Sequence, residues 1–422
     1  MRGTDFISNH AQAEQATAIL RTTVAVRDRA KQLLSRARQG ESSWFIVDEG
    51  FFDSAAAEVV AATRRRYPKL HIPLHSRWRH FEAGGINRKA ELDRLLAPMP
   101  RAFRGQAMID LAFVSVLLDA GAGPEWKYVE PATGQTFTRS EGLAVASFHA
   151  FIAGLFSSDK DHPLQADSEG LRGLVTDHLA SALQVSEANP LVGLQERAIL
   201  LRTLGEAMSE QPEAFGEDGR PSGLFHHIVV PLGPDVPPTA DVTAHDILSE
   251  ILMTLSGIWP SANSIETVPL GDCWRHSAVR GVGLSDGWMP FHKLSQWLTY
   301  SLLEPFEWSG VTVHKLDELT ALPEYRNGGL LIDSGLLRLR DESAAQQIWR
   351  PGDEIVVEWR AMTVALMDEL ARAVRQQLRL SEAQLPLARV LQGGTWAAGR
   401  ELAQRLRGGL PPLQVASDGT VF

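Results

Sequence analysis

Two carboxylates in the last third of the chain have the residue type and spacing needed for acid–base chemistry. Glu324 and Asp333 lie on either side of a glycine pair, Gly328 and Gly329, inside apolar sequence. We predict a turn at the glycines between two short helices, so that both carboxylates face one pocket. Two carboxylates that share a pocket repel each other, which raises the pKa of one and makes it a proton donor.

Two further polar clusters flank this pair along the chain. Before it, Lys293, Gln296 and Tyr300 follow one another at the spacing of one helical face. A solvated face would explain the lysine and the glutamine, but it explains the tyrosine less well. After it, Glu358 and Arg360 open a long predicted helix. For these two, an ion pair that holds the start of the helix is as good an interpretation as a direct role.

Helical periodicity dominates the chain, so we predict a mainly α fold with a few short strands. The predicted helices span residues 11–38, 53–66, 88–121 with a break near Pro98–Pro100, 140–155, 170–207, 243–258, 291–303, 313–321, 330–339 and 355–378. The predicted strands span 44–47, 135–138 and 225–231. Acidic and proline-rich sequence at 211–240 predicts a linker region. It would separate an N-terminal helical domain, 1–210, which contributes to the pocket, from a C-terminal helical catalytic domain, 241–422.

Composition excludes several classes of protein. The 422 residues carry a formal net charge of -10, whereas proteins that bind nucleic acid backbones are normally basic. The single cysteine, Cys273, excludes an internal disulfide and predicts a reducing compartment. No signal-peptide pattern and no run of about 18 apolar residues occurs. We therefore predict a cytoplasmic protein that binds neither nucleic acid nor membrane.

Other motifs are weaker. Gly283–Gly287 has the G-x-S-x-G spacing of a hydrolase nucleophile, but polar sequence precedes it where a buried strand is required. Phe45–Gly50 resembles the start of a phosphoribosyl-diphosphate loop, but no glycine-rich turn follows it, so a strand and a capped helix are predicted instead. Two groups could ligate a metal but lack a full ligand set, and we predict neither a metal nor a cofactor. They are His71, His75 and His80 with Glu82, and Cys273 with His276.

The three clusters of the last third resemble those of the queuosine-nucleotide N-glycosidase (queuosine salvage) family. The matching residues are Phe291, Lys293, Gln296 and Leu298, then Glu324, Tyr325 and Arg326, and finally Glu358 and Arg360. That family has an aspartate where this chain has Glu324, so the carboxylate here extends one methylene further. The resemblance implies a helical fold related to DNA glycosylases in the C-terminal half.

Nearly the whole chain resembles a second family, the fourth protein of the fungal and bacterial uracil-catabolism pathway, a domain of unknown function. Three long segments carry this resemblance: Thr138–Phe148, Gly271–His276 and Leu322–Gly329. The pathway opens the uracil ring, which would leave urea attached to C1′ of ribose 5-phosphate. Together the two resemblances imply an N-glycosidase that hydrolyses ribosylurea 5-phosphate to urea and ribose 5-phosphate.

The implied transition state resembles an oxocarbenium ion and needs a carboxylate beside C1′. We assign that role first to Glu324 and second to Asp333, with Lys293 pairing with Glu324 or binding the sugar hydroxyls. Arg326 is a candidate phosphate clamp, with a structural salt bridge as an equal alternative. The remaining candidate substrate-binding residues are Tyr325, Asp272, Trp274, His276, Glu141, Gln296 and Arg360. Among these, Trp274 has core packing and Glu141 has helix capping as its alternative.

Two other functions stay open from the sequence. One is a phosphoribosyltransferase-type enzyme, which would need diphosphate and magnesium. The other is a non-catalytic partner of the pathway's ring-opening enzyme. The expected partner is a small-molecule substrate, a ribose-phosphate derivative. The sequence does not fix the oligomeric state, and a homodimer is among the states it allows.

Overall fold

A computed structural model describes residues 2–229, 241–259 and 263–416, with side chains described from residue 10. Most of these residues are helical, and the helices are numbered α1 to α18 in chain order. The first nine are Arg2–Leu20, Thr23–Arg38, Phe52–Arg66, Arg77–His80, Arg88–Leu96, Arg101–Leu117, Arg139–Ile152, Ser168–Arg172 and Thr176–Ala182. The others are Leu194–Ser209, Pro212–Phe215, Gly223–Ile228, Ala244–Leu255, Lys293–Trp308, Tyr325–Asp333, Glu354–Leu378, Leu387–Val390 and Trp396–Arg407.

The strands are short and pair only two at a time within the described residues. Numbered β1 to β12, they are Phe45–Val47, Lys127–Val129, Thr136–Thr138, Asp241–Thr243, Ser264–Ile265, Val268–Pro269, Cys273–Arg275, Trp288–Pro290, Thr312–His314, Leu337–Leu339, Ile348–Trp349 and Gln414–Val415. The pairs β1–β10, β2–β3, β5–β6 and β7–β8 are antiparallel, and β4–β9 and β11–β12 are parallel. The predicted mainly α fold is therefore confirmed, and its likeness to DNA glycosylases stays a prediction.

The described residues group into two compact units, each discontinuous in sequence. The first comprises residues 2–75, 263–296 and 316–416, and the second comprises 76–229, 241–259 and 297–315. The predicted domains 1–210 and 241–422 are each one continuous segment of the chain, unlike these units. That division stays a prediction. Residues 230–240 of that linker lie outside the described residues.

Helix α16 runs through the core of the first unit. Its 25 residues are buried along most of their length, and α2 and α3 pack against it. Ion pairs fasten α2 to α16 at two places, Arg27 to Asp368 and Arg38 to Glu369. The predicted helix over 355–378 is thus confirmed, and it carries two of the candidate residues.

The glycine pair after Glu324 is not a turn. Gly328 and Gly329 lie inside helix α15, which corrects the predicted turn at this position. The indole Nε1 of Trp359 donates a hydrogen bond to the Gly328 carbonyl at 3.0 Å. A Cβ atom on Gly328 would lie 2.8 Å from the Trp359 ring. Glycine is therefore needed for close contact between α15 and α16, not for a positive φ.

Four further predicted segments differ from the structure. The segment 313–321 contains β9 and a short 3₁₀ turn instead of a helix, and 330–339 ends α15 and forms β10. The predicted strand at 225–231 is helical through α12, although 230 and 231 lie outside the described residues. The predicted helix at 11–38 is broken at Arg21 and Thr22, because Thr22 caps α2 through its side chain.

Helices α17 and α18 continue into each other through a π-helical turn at Leu391–Thr395. Two glycines in this turn permit close contact with α3. A Cβ atom on Gly394 would lie 2.3 Å from the Val59 carbonyl oxygen.

Within the described ranges, no helix combines the length and the apolar character needed to cross a membrane.

Candidate functional site

Asp272 is the centre of a buried polar cluster in the first unit. Its Oδ1 accepts hydrogen bonds from Arg360 Nη1 at 2.8 Å and from Trp274 Nε1 at 2.7 Å. Its Oδ2 accepts from Arg360 Nη2 at 2.7 Å and from the Lys293 backbone N–H at 2.9 Å. One carboxylate thus holds the side chains of Arg360 and Trp274, two predicted substrate-binding residues, and the backbone of Lys293, a predicted catalytic residue.

The local chain folds so that this carboxylate meets the start of α14. Strands β7 and β8 pair Cys273 with Pro290, and the Asp272 carbonyl accepts the Phe291 and His292 backbone N–H groups at 2.9 and 3.2 Å. His292 has a φ of 50°, in the left-handed region that residues other than glycine seldom adopt. This bend turns the chain from β8 into α14 and places Lys293 at the first helical position.

The cluster is ionised, and its charges are compensated. Burial would raise the pKa of Asp272, but the Arg360 charge and the four hydrogen bonds outweigh it and hold the pKa at about 2. The Arg360 guanidinium also lies over the Phe291 ring, with Cζ 4.0 Å from the centroid. Both terminal nitrogens of Arg360 bind Asp272, so its charge is compensated within the protein, and its role in substrate binding stays a prediction.

Arg360 connects the cluster to Glu324. Its Nε donates to the Pro323 carbonyl at 3.3 Å, one residue before Glu324. Glu324 is the N-cap of α15, and its two oxygens accept the backbone N–H groups of Arg326 and Asn327, each at 2.7 Å. Helix capping by a half-buried carboxylate is a stabilising arrangement in its own right. The caps use one acceptor position on each oxygen and leave each oxygen able to accept another.

Electrostatics distinguishes Glu324 from an ordinary capping residue. Burial raises its pKa above the usual value for glutamate, although the two backbone hydrogen bonds and the charges of Lys293 and Arg326 act in the opposite direction. A raised pKa makes the ionised carboxylate a stronger base than one in water. Lys293, whose backbone N–H binds Asp272, is thus near enough to Glu324 for its charge to lower the pKa of that carboxyl.

Arg326 and Tyr325 follow Glu324 in the first turn of α15. Tyr325 is partly exposed, and the Arg326 Cζ lies 4.7 Å from the centroid of its ring. Arg326 is buried, and its Nη1 donates to the Gly409 carbonyl at 3.4 Å. Its Nε and the Asn327 Oδ1 are buried without hydrogen-bond partners. The role of Arg326 as a phosphate clamp stays a prediction.

Asp333 is not brought together with Glu324. The two residues lie at opposite ends of α15, and nine residues of helix span about 13 Å. The buried Asp333 carboxylate pairs with Arg407 from α18. Burial raises its pKa, and the hydrogen bond from Arg407 works against that effect. The hypothesis that both carboxylates face one pocket therefore lacks support, because the glycines between them are helical.

Gln296 and His276 are both satisfied by protein partners. Gln296 is buried, its Nε2 donates to Thr320 Oγ1 at 2.6 Å, and its Oε1 accepts the Thr320 backbone N–H at 2.7 Å. His276 Nδ1 accepts the Ala278 backbone N–H at 3.1 Å. The proton of the neutral imidazole is then on Nε2, which lies 3.2 Å from the Glu358 Oε2.

Glu358 completes this second network with Ser42, whose hydroxyl donates to Glu358 Oε1. The Ser42 Oγ also accepts the backbone N–H of Phe45 at 2.8 Å. Sequence reasoning missed Ser42, His292 and the Pro323 carbonyl. A serine two residues before a predicted strand was a signal for Ser42, whereas no local pattern marks the other two.

Glu141 belongs to the second unit, where it lies half-buried in the first turn of α7.

Across the described ranges, no three His, Cys, Asp or Glu side chains are grouped closely enough to hold a metal ion. The Cys273 thiol is buried, and burial raises its pKa, so it is not a reactive thiolate.

Comparison with known proteins places the chain. Residues 19–422 match a family model described as "Protein of unknown function (DUF1688)". The chain is 39% identical to Protein urg3 of Schizosaccharomyces pombe over 94% of its length and 96% of that protein. It is 35% identical to Uracil catabolism protein 4 of Lachancea kluyveri over 94% of its length and 97% of that protein. The chain therefore belongs to the DUF1688 family.

Proposed function

We propose that this chain is an N-glycosidase of uracil catabolism that hydrolyses the C1′–N bond of ribosylurea 5-phosphate to urea and ribose 5-phosphate. The name of the Lachancea relative supports the pathway. The observation that carries the chemistry is Glu324, a half-buried carboxylate that two backbone N–H groups hold in place in electrostatic contact with Lys293. The expected cytoplasmic location remains part of this proposal.

Glu324 would act on the sugar carbon. Cleavage of the C1′–N bond leaves positive charge on C1′ and O4′, and an ionised carboxylate a few ångströms away stabilises that charge. The same carboxylate would take a proton from the attacking water. Its two backbone hydrogen bonds prevent reorientation during the reaction, so the stabilisation is built before the substrate arrives.

Lys293 would have two roles in this reaction. Its positive charge lowers the pKa of Glu324 and so favours the ionised form at neutral pH against the effect of burial. Its ammonium is also a donor for the nitrogen or oxygen of the leaving urea, a role that the distant Asp333 does not fill. The first turn of α14 therefore provides the cation, and the N-cap of α15 provides the anion.

Trp274 would form the wall of this site. Its indole is partly exposed and held by Asp272. Gly352 packs against its six-membered ring, where a Cβ atom would lie 2.7 Å from Trp274 Cε3. An aromatic face fixed on two sides suits packing against a sugar or a planar ureido group. Asp272 and Arg360 would then be positioning residues that fix Trp274 and Lys293 without contacting substrate.

The test is urea release from synthetic ribosylurea 5-phosphate, measured with a urease-coupled assay without added diphosphate or metal. Ribosylurea and uridine monophosphate are run in parallel. We expect urea and ribose 5-phosphate in equal amounts, and a loss of about 100-fold or more in kcat for Glu324→Gln. Glu401→Gln, at an exposed glutamate of the same unit, is the matched control. Folded protein that releases no urea, or full activity in Glu324→Gln, would contradict the proposal.

A further inference from the structure

A second polar cluster lies in the second unit and surrounds Arg77 of α4. The side chain of Arg77 is completely buried. Its Nη1 lies 2.7 Å from Asp119 Oδ2, 3.1 Å from Ser140 Oγ and 3.1 Å from His80 Nδ1. The Trp297 Nε1 donates to the same Asp119 oxygen at 3.0 Å. Ser140 belongs to the sequence segment Thr138–Phe148, which the proposed reaction does not use.

The proton positions follow from the donors. A guanidinium only donates hydrogen bonds, so His80 Nδ1 accepts. The Ser140 hydroxyl donates to Asp119 Oδ1 at 2.5 Å. Burial would raise the pKa of Asp119, but the Arg77 charge, the His80 charge and the hydrogen bonds from Ser140 and Trp297 together outweigh it, and the pKa lies below its usual value. The Asp119 carboxylate is therefore ionised and compensates Arg77.

Further buried hydrogen bonds hold Arg77 and Asp119 in place. The Arg77 Nε donates to Ser115 Oγ at 2.8 Å, and Ser115 lies 2.7 Å from Ser147 Oγ. Arg197 donates to the carbonyls of residues 118, 120 and 121, on both sides of Asp119. Neither the arginine nor the aspartate can turn away without breaking several buried hydrogen bonds.

One nitrogen of this rigid group has no acceptor. Arg77 Nη2 is buried and makes no hydrogen bond. A buried charged donor without an acceptor costs free energy, and such groups in native proteins normally meet a water, an ion or a ligand. The neighbouring side chains of His80 and Ser140 are only half-buried, so the cluster has an edge toward solvent.

We propose that Arg77 Nη2 binds an uncharged oxygen of a small polar ligand, a ribose hydroxyl or a ureido carbonyl. The charge of Arg77 is already matched by Asp119, so a second anion at this point would meet the Asp119 carboxylate without a free cation to offset it. The choice of ribose and urea rests on the proposed function. The requirement for an uncharged oxygen rests on the cluster alone.

The test is binding measured by calorimetry, with ribosylurea, urea, ribose and inorganic phosphate as separate probes. Glu324→Gln protein is used for ribosylurea to prevent turnover. In Arg77→Lys the ammonium can still pair with Asp119 but offers no second nitrogen. We expect it to weaken ribosylurea binding about 10- to 100-fold, the effect of one charge-assisted hydrogen bond. If the substitution also weakens the binding of free urea but not of ribose, Nη2 binds the ureido carbonyl. If it weakens the binding of ribose but not of urea, Nη2 binds a hydroxyl.

Arg88→Lys is the matched control. Arg88 is an equally buried arginine of the same unit, but every nitrogen has an acceptor on Glu130 or on a main-chain carbonyl. It shares no partner with Arg77, so the Kd should stay within about twofold. Equal Kd values for Arg77→Lys and wild type, or Arg77-dependent binding of phosphate, would overturn the inference.

A crystal structure of Glu324→Gln with ribosylurea covers the case in which Arg77→Lys does not fold. A ligand oxygen within hydrogen-bond distance of Nη2 supports the inference, and a water alone at Nη2 overturns it. The urea-release assay separates the two proposals. Cleavage together with equal ribosylurea Kd values for Arg77→Lys and wild type would refute this site alone, whereas Arg77-dependent binding without any cleavage would refute the proposed reaction alone.

Discussion

Replacing Asp272 by asparagine should destabilise the protein strongly through Arg360. The substitution keeps the shape of the side chain but removes the charge that both Arg360 terminal nitrogens bind. Both side chains are nearly inaccessible to solvent, at 8% and 1%. The guanidinium would stay buried without its counter-charge, and such broken pairs typically cost about 3–5 kcal/mol.

The pKa of Asp272 gives an independent estimate. It lies at about 2 in the folded protein against 3.8 for a free aspartate, which corresponds to about 2–3 kcal/mol at about 1.4 kcal/mol per pKa unit. Because the folded pKa is the lower one, this stabilisation is complete above about pH 5 and is lost as the pH falls toward 2. The asparagine variant should therefore differ from wild type most at neutral pH and least near pH 2.

The assay is guanidinium chloride unfolding of wild type, Asp272→Asn, Arg360→Met and the double variant, followed by fluorescence and circular dichroism. The double variant should lose less stability than the sum of the two single variants, by about 2 kcal/mol or more. As a control, Arg65→Met should cost less than about 1 kcal/mol, because the Arg65–Glu401 pair is 56% and 51% exposed. Additive single variants, or a cost below 1 kcal/mol for Asp272→Asn, would refute the reasoning.

Three further results should follow. Lys293→Met should move the acid limb of the pH–kcat profile to higher pH, because the lysine charge lowers the pKa of Glu324. An unmoved limb would show that the Lys293 charge does not act on Glu324. Asp333→Asn should keep kcat within about threefold. It should lower the melting temperature, because the partly buried Arg407 loses its counter-charge. A large loss of kcat would show that Asp333 belongs to the site. Gly394→Ala should cost about 1–3 kcal/mol of unfolding free energy, since the new Cβ would meet the Val59 carbonyl, and unchanged stability would mean that the π-helical turn can shift.

Local sequence pattern was sufficient for the elements whose own residues decide their structure. The apolar spacing of residues 355–378 predicted α16, and the apolar triplet before Asp48 predicted β1. The three clusters of the last third also pointed to residues that meet in space. Lys293 and Arg360 come from two helices and both bind Asp272, and Arg360 also donates to the carbonyl of Pro323, the residue before Glu324.

Contacts distant in sequence decided the elements that were predicted wrongly. A glycine pair favours a turn by local rules, but Trp359 makes Gly328 a helix-packing residue from 31 positions away. The partner of Asp333 could not be predicted for the same reason, since Arg407 is far along the chain, and the catalytic role of Asp333 stays a prediction. Gln296 looked like a ligand-binding residue, but Thr320 satisfies both ends of its amide.

The discontinuity of the first unit determines when it can fold during synthesis. The buried strand residue Phe45 pairs with Leu339, and Ile348 pairs with Gln414 near the end of the described chain. Most of the chain must leave the ribosome before β1 has its partner strand, and nearly all of it before β11 does. The unit therefore has a high contact order, which slows folding and leaves apolar helix faces uncovered in the meantime. A nascent chain that ends before α18 lacks a complete first unit, so its exposed helix faces make it a substrate for chaperones or proteases.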